Sequence, residues 1–224
     1  MASASVRYPD FNPVFFIGAS AGGVRAFSAL ASQIPEDFPS PIFFLLHRLR
    51  DSSVKQVGLL TLLEARSNLP VKAAEEGELV RSRCIYLPPD NLNIGVEDNH
   101  IFFSELPDDE PWRPSINFLF KSGAREYKDR AVSILLTGKL EDGIEGMIET
   151  THQGGITIAQ SPEDAYEPHM PLKALLKDHP CHVLPLGDIP KLMCELAHHA
   201  HFSDQTQVFE QSAKAAASMK NSLK

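Results

Sequence analysis

Cysteine is scarce. Cys84, Cys181 and Cys194 are an odd three with no C-x-x-C spacing, which argues against a disulfide framework or a zinc ribbon and reads as buried free thiols. Basic charge is short too. Lys and Arg number 21 against 29 Asp and Glu, for a formal net charge of −8. No Lys/Arg stripe interleaves with aromatics, so nucleic acid is not an expected partner. No apolar run approaches the ~18–20 residues of a membrane span. The opening MASASVRYPD lacks a charged-then-apolar leader profile. There is no internal repeat, no G-x-G-x-x-G and no P-loop lysine. His198, His199 and His201 cluster on a polar stretch, and His152 and His169 fit no ligand motif, so no metal is expected. These absences leave a soluble, cytoplasmic protein without membrane insertion as the expectation.

What is present is 224 residues, 43% of them apolar, enough for one domain with a large core. Val14–Ile17 reads as a buried strand, and Val24, Phe27, Leu30, Ala31 and Ile34 follow at helical spacing. Ile42–Leu46 is a second continuous apolar run, of the kind covered on both faces in a parallel sheet. Val54, Val57, Leu60 and Leu63 mark another helix. The stretch 71–103 has short β-prone pieces broken by Gly77, Pro88–Pro89 and Gly95, which predicts hairpins or an antiparallel flap. Ser115 reads as an N-cap before a helix over Ile116–Tyr127. Ala131–Leu136 and Ile156–Ala159 are further strands around a helix at Ile144–Thr151. Pro171 opens a short helix, the run CHVL is a strand, and Asp188 caps a last helix ending near His199. Strands alternating with helices predict an α/β fold on a mainly parallel sheet. The tail from about residue 201 to 224 is polar and reads as a solvated helix or a disordered segment.

In such sheets ligands sit at the carboxyl ends of the strands. Strand one ends at Ser20, inside Gly18-Ala19-Ser20-Ala21-Gly22, and strand two ends at His47. Strand three ends in TGKLEDG, which carries Thr137, Glu141 and Asp142. Ser, His and Asp on three separate strand ends, at one edge of the sheet if all three strands are parallel, are the set for nucleophilic acyl transfer. G-x-S-x-G on a strand-to-helix turn also exposes a nucleophile, and the helix start beside it offers N–H groups to an oxyanion. Each residue has a plainer reading. Ser20 could cap the helix or its corner hold a phosphate, His47 could be packed, and Asp142 could cap the helix that follows. The α/β-hydrolases order their triad Ser, Asp, His, which is not the order here.

The blocks IGASAGG, LLHRL, VKAAEEGELV…CIYLPPDNLNI, RPSINFLF, AVSILLTGKLEDGIEGM and GGITIAQSPEDAYEPHMP run in an order that resembles the catalytic domain of the chemotaxis protein-glutamate methylesterases, the CheB family. The resemblance spans about residues 13–197. It implies a three-layer α/β sandwich over about 13–200, with the hairpin excursion at about 71–103. It implies hydrolysis of γ-glutamyl methyl esters on chemoreceptor helices, with deamidation of glutamines there, by Ser20, His47 and Asp142. No metal and no organic cofactor is implied. The implied partner is a methylated chemoreceptor or receptor-like helical protein, with a response regulator or sensor kinase acting in trans. The alternative is a catalytically weak CheB-like binding module in a sensory signalling complex. Family members usually begin with a phosphorylatable receiver domain, whereas this sequence starts at the esterase strand. It also departs from the family pattern at Ala21, usually Thr or Ser, and at His169 in PHMP. In TGKLEDG, Lys139 and Leu140 stand where the family has Met and Gly. A left-handed backbone costs a leucine ~1–2 kcal/mol. The expectation is therefore a negative φ at Leu140 and a slightly re-routed loop, with Asp142 still reaching His47.

Overall fold

Seven strands run parallel through the middle of the protein. A computed structural model describes residues 13–49, 56–90, 92–105 and 112–198. The expected tail (201–224) and the N-terminal stretch MASASVRYPD lie outside these residues, as do His199 and His201. In chain order the strands are β1 (Val14–Ala19), β2 (Ile42–Leu46), β3 (Arg48–Leu49), β4 (Val71–Ala73), β5 (Ile85–Leu87), β6 (Asn93–Glu97), β7 (His100–Ser104), β8 (Trp112–Arg113), β9 (Ala131–Leu135), β10 (Ile156–Gln160) and β11 (His182–Leu184). The helices are α1 (Gly23–Ala31), α2 (Gln56–Glu64), α3 (Ile116–Tyr127), α4 (Ile144–His152), α5 (His169–Lys177) and α6 (Ile189–His198). The main sheet has the order β11-β10-β9-β1-β2-β5-β4.

The apolar runs of β1 and β2 are buried at every position, because both faces of the sheet are covered. Alternation sorts the side chains. Phe15, Ile17, Ala19, Ile42, Phe44 and Leu46 face one core with α1, α2 and α6. Val14, Phe16, Phe43 and Leu45 face the other with α3, α4, α5 and the β6–β7 hairpin. The result is three layers, α/β/α. Helix α3 lies so close to the sheet that a Cβ on Gly123 would fall 2.4 Å from the Phe16 ring.

The 71–103 stretch divides. Only its second half, β6 with β7, is an antiparallel hairpin. Its first half supplies β4 and β5, which pair parallel with each other and with β2 at the sheet edge. These strands have three residues each, too few for a period to show, and their partners are distant in sequence. The cysteines are free. Cys84 is buried, and desolvation pushes its thiol up to about 11, so it is inert at neutral pH.

At the other sheet edge, burial lowers the pKa of His182 in β11. As pH falls below the ordinary histidine value of about 6.5, the unfolded chain takes up a proton that the folded one resists. His182 therefore withdraws stability as acid is added. The urea midpoint is expected to fall more between about pH 7.5 and about pH 5.5 in the wild type than in His182→Gln. An equal fall in both would remove His182 from the acid sensitivity.

Candidate active site

Strands β9, β1 and β2 are consecutive in the sheet. To one side of β1 the chain builds outward through β2, β5 and β4, and to the other through β9, β10 and β11. The order reverses at β1/β9, the kind of crevice where open α/β sheets bind ligands. Register places Ala19 beside Leu46 and Gly18 beside Leu135, so the three chains leave the sheet at one level. Backbone bonds carry the pairing past the strand ends. His47 N–H donates to Ala19 O (2.8 Å), Leu136 N–H to Gly18 O (2.9 Å) and Ser20 N–H to Thr137 O (3.0 Å). Ser20 and His47 thus stand on neighbouring corners, one strand spacing of about 4.8 Å apart in the backbone.

Ser20 does not cap α1. The N-cap is Gly22, with φ 86 and no side-chain cap bond, and a serine two residues before the cap is free for other work. Among the described residues, no backbone carbonyl receives the N–H of Ala21 or Gly22. His47 is 5% exposed, and its Nε2 lies 3.6 Å from Asp142 Oδ2.

Asp142 does not cap the helix that follows it either, since the N-cap of α4 is Gly143. Its carboxylate turns instead to the start of α3. Ile116 N–H donates to Oδ2 (2.6 Å), while Asn117 N–H (2.9 Å) and Ser115 Oγ (3.1 Å) donate to Oδ1. The start of α3 therefore orients the acid facing His47 through three donors. Ser115 is the N-cap of α3 and also accepts from Phe118 N–H. The short β3–β8 ribbon pairs Arg48 with Arg113. It ties the chain leaving His47 to the chain entering α3, which brings these donors to the histidine.

Under the Ser20 corner lies Thr137. Its hydroxyl donates to Ala21 O (2.9 Å) and accepts from Glu167 N–H (2.8 Å). Its own N–H donates to Oε1 of buried Gln160 (2.9 Å), whose amide donates to Asp164 (2.8 Å). Gly138 N–H donates to Glu167 O (3.0 Å), and Met170 N–H returns to Gly138 O (2.9 Å). The TGKLEDG loop is thereby stapled to residues 167–170. Tyr166, 75% exposed, leans over Gly22 at the rim.

The expectation for Leu140 is overturned. Its φ is +69, left-handed, not negative. The ends of the loop dictate this. Gly138 is clamped to 167–170, Glu141 binds Lys177 and Lys173, and Asp142 binds α3. The two lysines hold Glu141 down to about 2. Between these anchors the chain has one way to turn, and Leu140 adopts it with its side chain 48% exposed. Leu140→Gly relieves ~1–2 kcal/mol of left-handed strain against about 0.5–1 kcal/mol of added chain entropy. The variant is expected to be more stable by about 0.5–1 kcal/mol in a denaturant titration. A lower midpoint would mean that the exposed leucine makes a contact of its own.

Of the other candidates, His169 pairs with Glu167 and lowers the pKa of that carboxyl, and Lys139 lies 3.8 Å from the same Glu167. His198 bonds the carbonyl of Cys194 in its own helix, and His152 sits exposed at the end of α4. Among the described residues, no group of three or more His, Cys, Asp or Glu is arranged to hold a metal ion. No helix among them is long and apolar enough to cross a membrane. Asn117 and Gln160 went unread in the sequence. Both are polar residues beside apolar ones, at a helix start and a strand end, and their partners are remote.

Comparisons with known proteins bear on this geometry. A family model described as CheB methylesterase matches residues 15–193. The protein-glutamate methylesterase/protein-glutamine glutaminase of Nitrosospira multiformis is 36% identical over 203 residues, 87% of this chain and 56% of its own length. The protein of the same name from Thermotoga maritima is 29% identical over 187 residues, 82% and 54% of the two lengths. The chain thus spans about half the length of these relatives. A Leptospira interrogans relative, 30% identical, is matched over 92% of its length. The crystal structure of the Thermotoga maritima CheB methylesterase catalytic domain is similar, with a TM-score of 0.75 at 28% identity, covering 83% of this chain and 98% of that one.

Proposed function

The chain belongs to the CheB methylesterase family, and from that premise we propose that residues 13–200 form a serine esterase that hydrolyses γ-glutamyl methyl esters on receptor helices. The observation that carries this reading is the placement of Ser20, which does not cap α1, buried His47 and a carboxylate 3.6 Å from the His47 ring at the carboxyl ends of three neighbouring strands.

The chemistry runs in two halves. Ser20 Oγ attacks the ester carbonyl and its proton passes to His47. With Nε2 turned toward Asp142, the proton on that nitrogen faces the carboxylate, which leaves Nδ1 as the base. The carbonyl oxygen takes up negative charge beside the N–H groups of Ala21 and Gly22, donors placed at the start of α1. The C–OMe bond then breaks, and the proton on Nδ1 goes to the departing methoxide, releasing methanol. Water, deprotonated by the same nitrogen, cleaves the glutamyl-Ser20 ester, leaving a glutamate carboxylate and a restored serine. A glutamine amide follows the same path with ammonia as the leaving group. Each proton is returned and no electron changes hands, so the cycle needs neither metal nor organic cofactor.

The substrate we propose is a methylated chemoreceptor or a receptor-like helical protein in the cytoplasm, with a response regulator or sensor kinase as a further partner in trans. The test is methanol release from methylated receptor by the wild-type chain. Methanol at a rate proportional to enzyme supports the reading. None, from a protein that still binds the receptor, would move it to a binding module of the same fold.

A further inference from the structure

The starts of α3 and α4 close each other. The first-turn N–H groups of a helix have no partner within the helix and need one from elsewhere. For α3 the acceptor is Asp142, as described above. For α4 the N-cap is a glycine, Gly143 at φ 100, with no side chain to offer. The acceptor comes from α3. Asn117 Oδ1 receives Gly143 N–H (3.0 Å) and Gly146 N–H (2.9 Å). Both partners are donors, so the amide orientation is fixed by chemistry. The short side chain reaches because the helices nearly touch, with a Cβ on Gly146 falling 2.4 Å from Phe120 Cβ.

We propose that Asn117 is the positioning residue for the Asp142 carboxylate. It grips that residue at two points. Its backbone N–H holds carboxylate oxygen Oδ1, and its side chain holds the N–H of the next residue. The first contact fixes where the carboxylate points. The second fixes the backbone at Gly143, a residue that otherwise pivots freely. Neither contact touches substrate. The effect reaches the reaction only through the His47–Asp142 distance, and a misplacement of about 1 Å at such a site costs on the order of 100-fold in rate.

The kinetic part of the test rests on the esterase reading, and the spectroscopic part does not. Asn117→Ala removes the acceptor. Asn117→Asp keeps it and adds a negative charge where the α4 N-terminus favours one. Methanol release gives kcat and KM, and proton NMR gives the low-field imidazole N–H signal of a histidine facing a carboxylate. Asn117→Ala is expected to lower kcat about 10- to 100-fold with KM within about twofold, and to lose the low-field signal. Asn117→Asp is expected to recover most of both. If Asn117→Ala does not fold, Asn117→Ser, whose hydroxyl is too short to reach α4, is measured in its place. A folded Asn117→Ala with wild-type kcat and an unchanged signal overturns the proposal, whatever its thermal stability. So does a folded Asn117→Asp that recovers neither. If the wild type releases no methanol, the esterase reading fails, and the signal in the three proteins decides the positioning role by itself. A wild type with neither methanol nor signal overturns both.

Discussion

Ser20→Ala is expected to release methanol from methylated receptor about 10^4- to 10^6-fold more slowly than the wild type, with an unchanged far-UV spectrum. The two halves of that result have separate causes. The rate falls because the proposed nucleophile is gone. The fold persists because Ser20 is not the cap of α1, a role taken by Gly22, and the Ser20 backbone bonds to Thr137 and Gly23 survive the change. A stability change within about 1 kcal/mol is expected. His47→Ala should cost nearly as much activity, and the double variant little more than either single one, since nucleophile and base act as a unit. Full activity in both single variants would end the assignment. A large loss of helix signal in Ser20→Ala would instead return the serine to a structural role.

The second large effect is expected at Gly138. A Cβ there would lie 2.0 Å from Met170 Sδ and 2.9 Å from Ser20 Cβ. Met170 is fully buried, so its thioether can make room only by repacking among its core neighbours. Gly138→Ala must push the buried thioether, the nucleophile corner, or both. Overpacking of this kind costs ~1–3 kcal/mol. Displacing Ser20 relative to His47 costs on the order of 100-fold in kcat. The expected signature is a modest fall in Tm with a disproportionate fall in kcat. A folded Gly138→Ala with wild-type kcat would show that the loop yields without moving the serine.

Much of this site was legible because its frame is made of buried parallel strands. β1, β2 and β9 are continuous apolar runs, and such runs announce both the strand and its end. Reactive residues at the ends then fall into line. What escaped depends on partners far away in the chain. β4 and β5 have three residues each, and only pairing with β2 makes them sheet. Leu140 has an intrinsic preference for negative φ, and the anchors on either side of it override that preference. Ser115 is readable as a cap, but nothing local shows that the same hydroxyl also donates to Asp142. Asn117 carries no local signal, because its work is done on another helix.

The strand order has a consequence for the life of the chain on the ribosome. Among the described strands β1 emerges before the others, yet it ends in the middle of the sheet, and one of its two neighbours, β9, is made only after β2 to β8. Ser20 and His47 can meet early through the local β1–α1–β2 unit. The carboxylate arrives only when Val132 pairs with Phe15 and α3 is in place to receive it. Contacts so distant in sequence form slowly, and until they form β1 offers an open edge. A nascent chain stalled before β9 therefore carries Ser20 and His47 without Asp142, and its open β1 edge is exposed to aggregation.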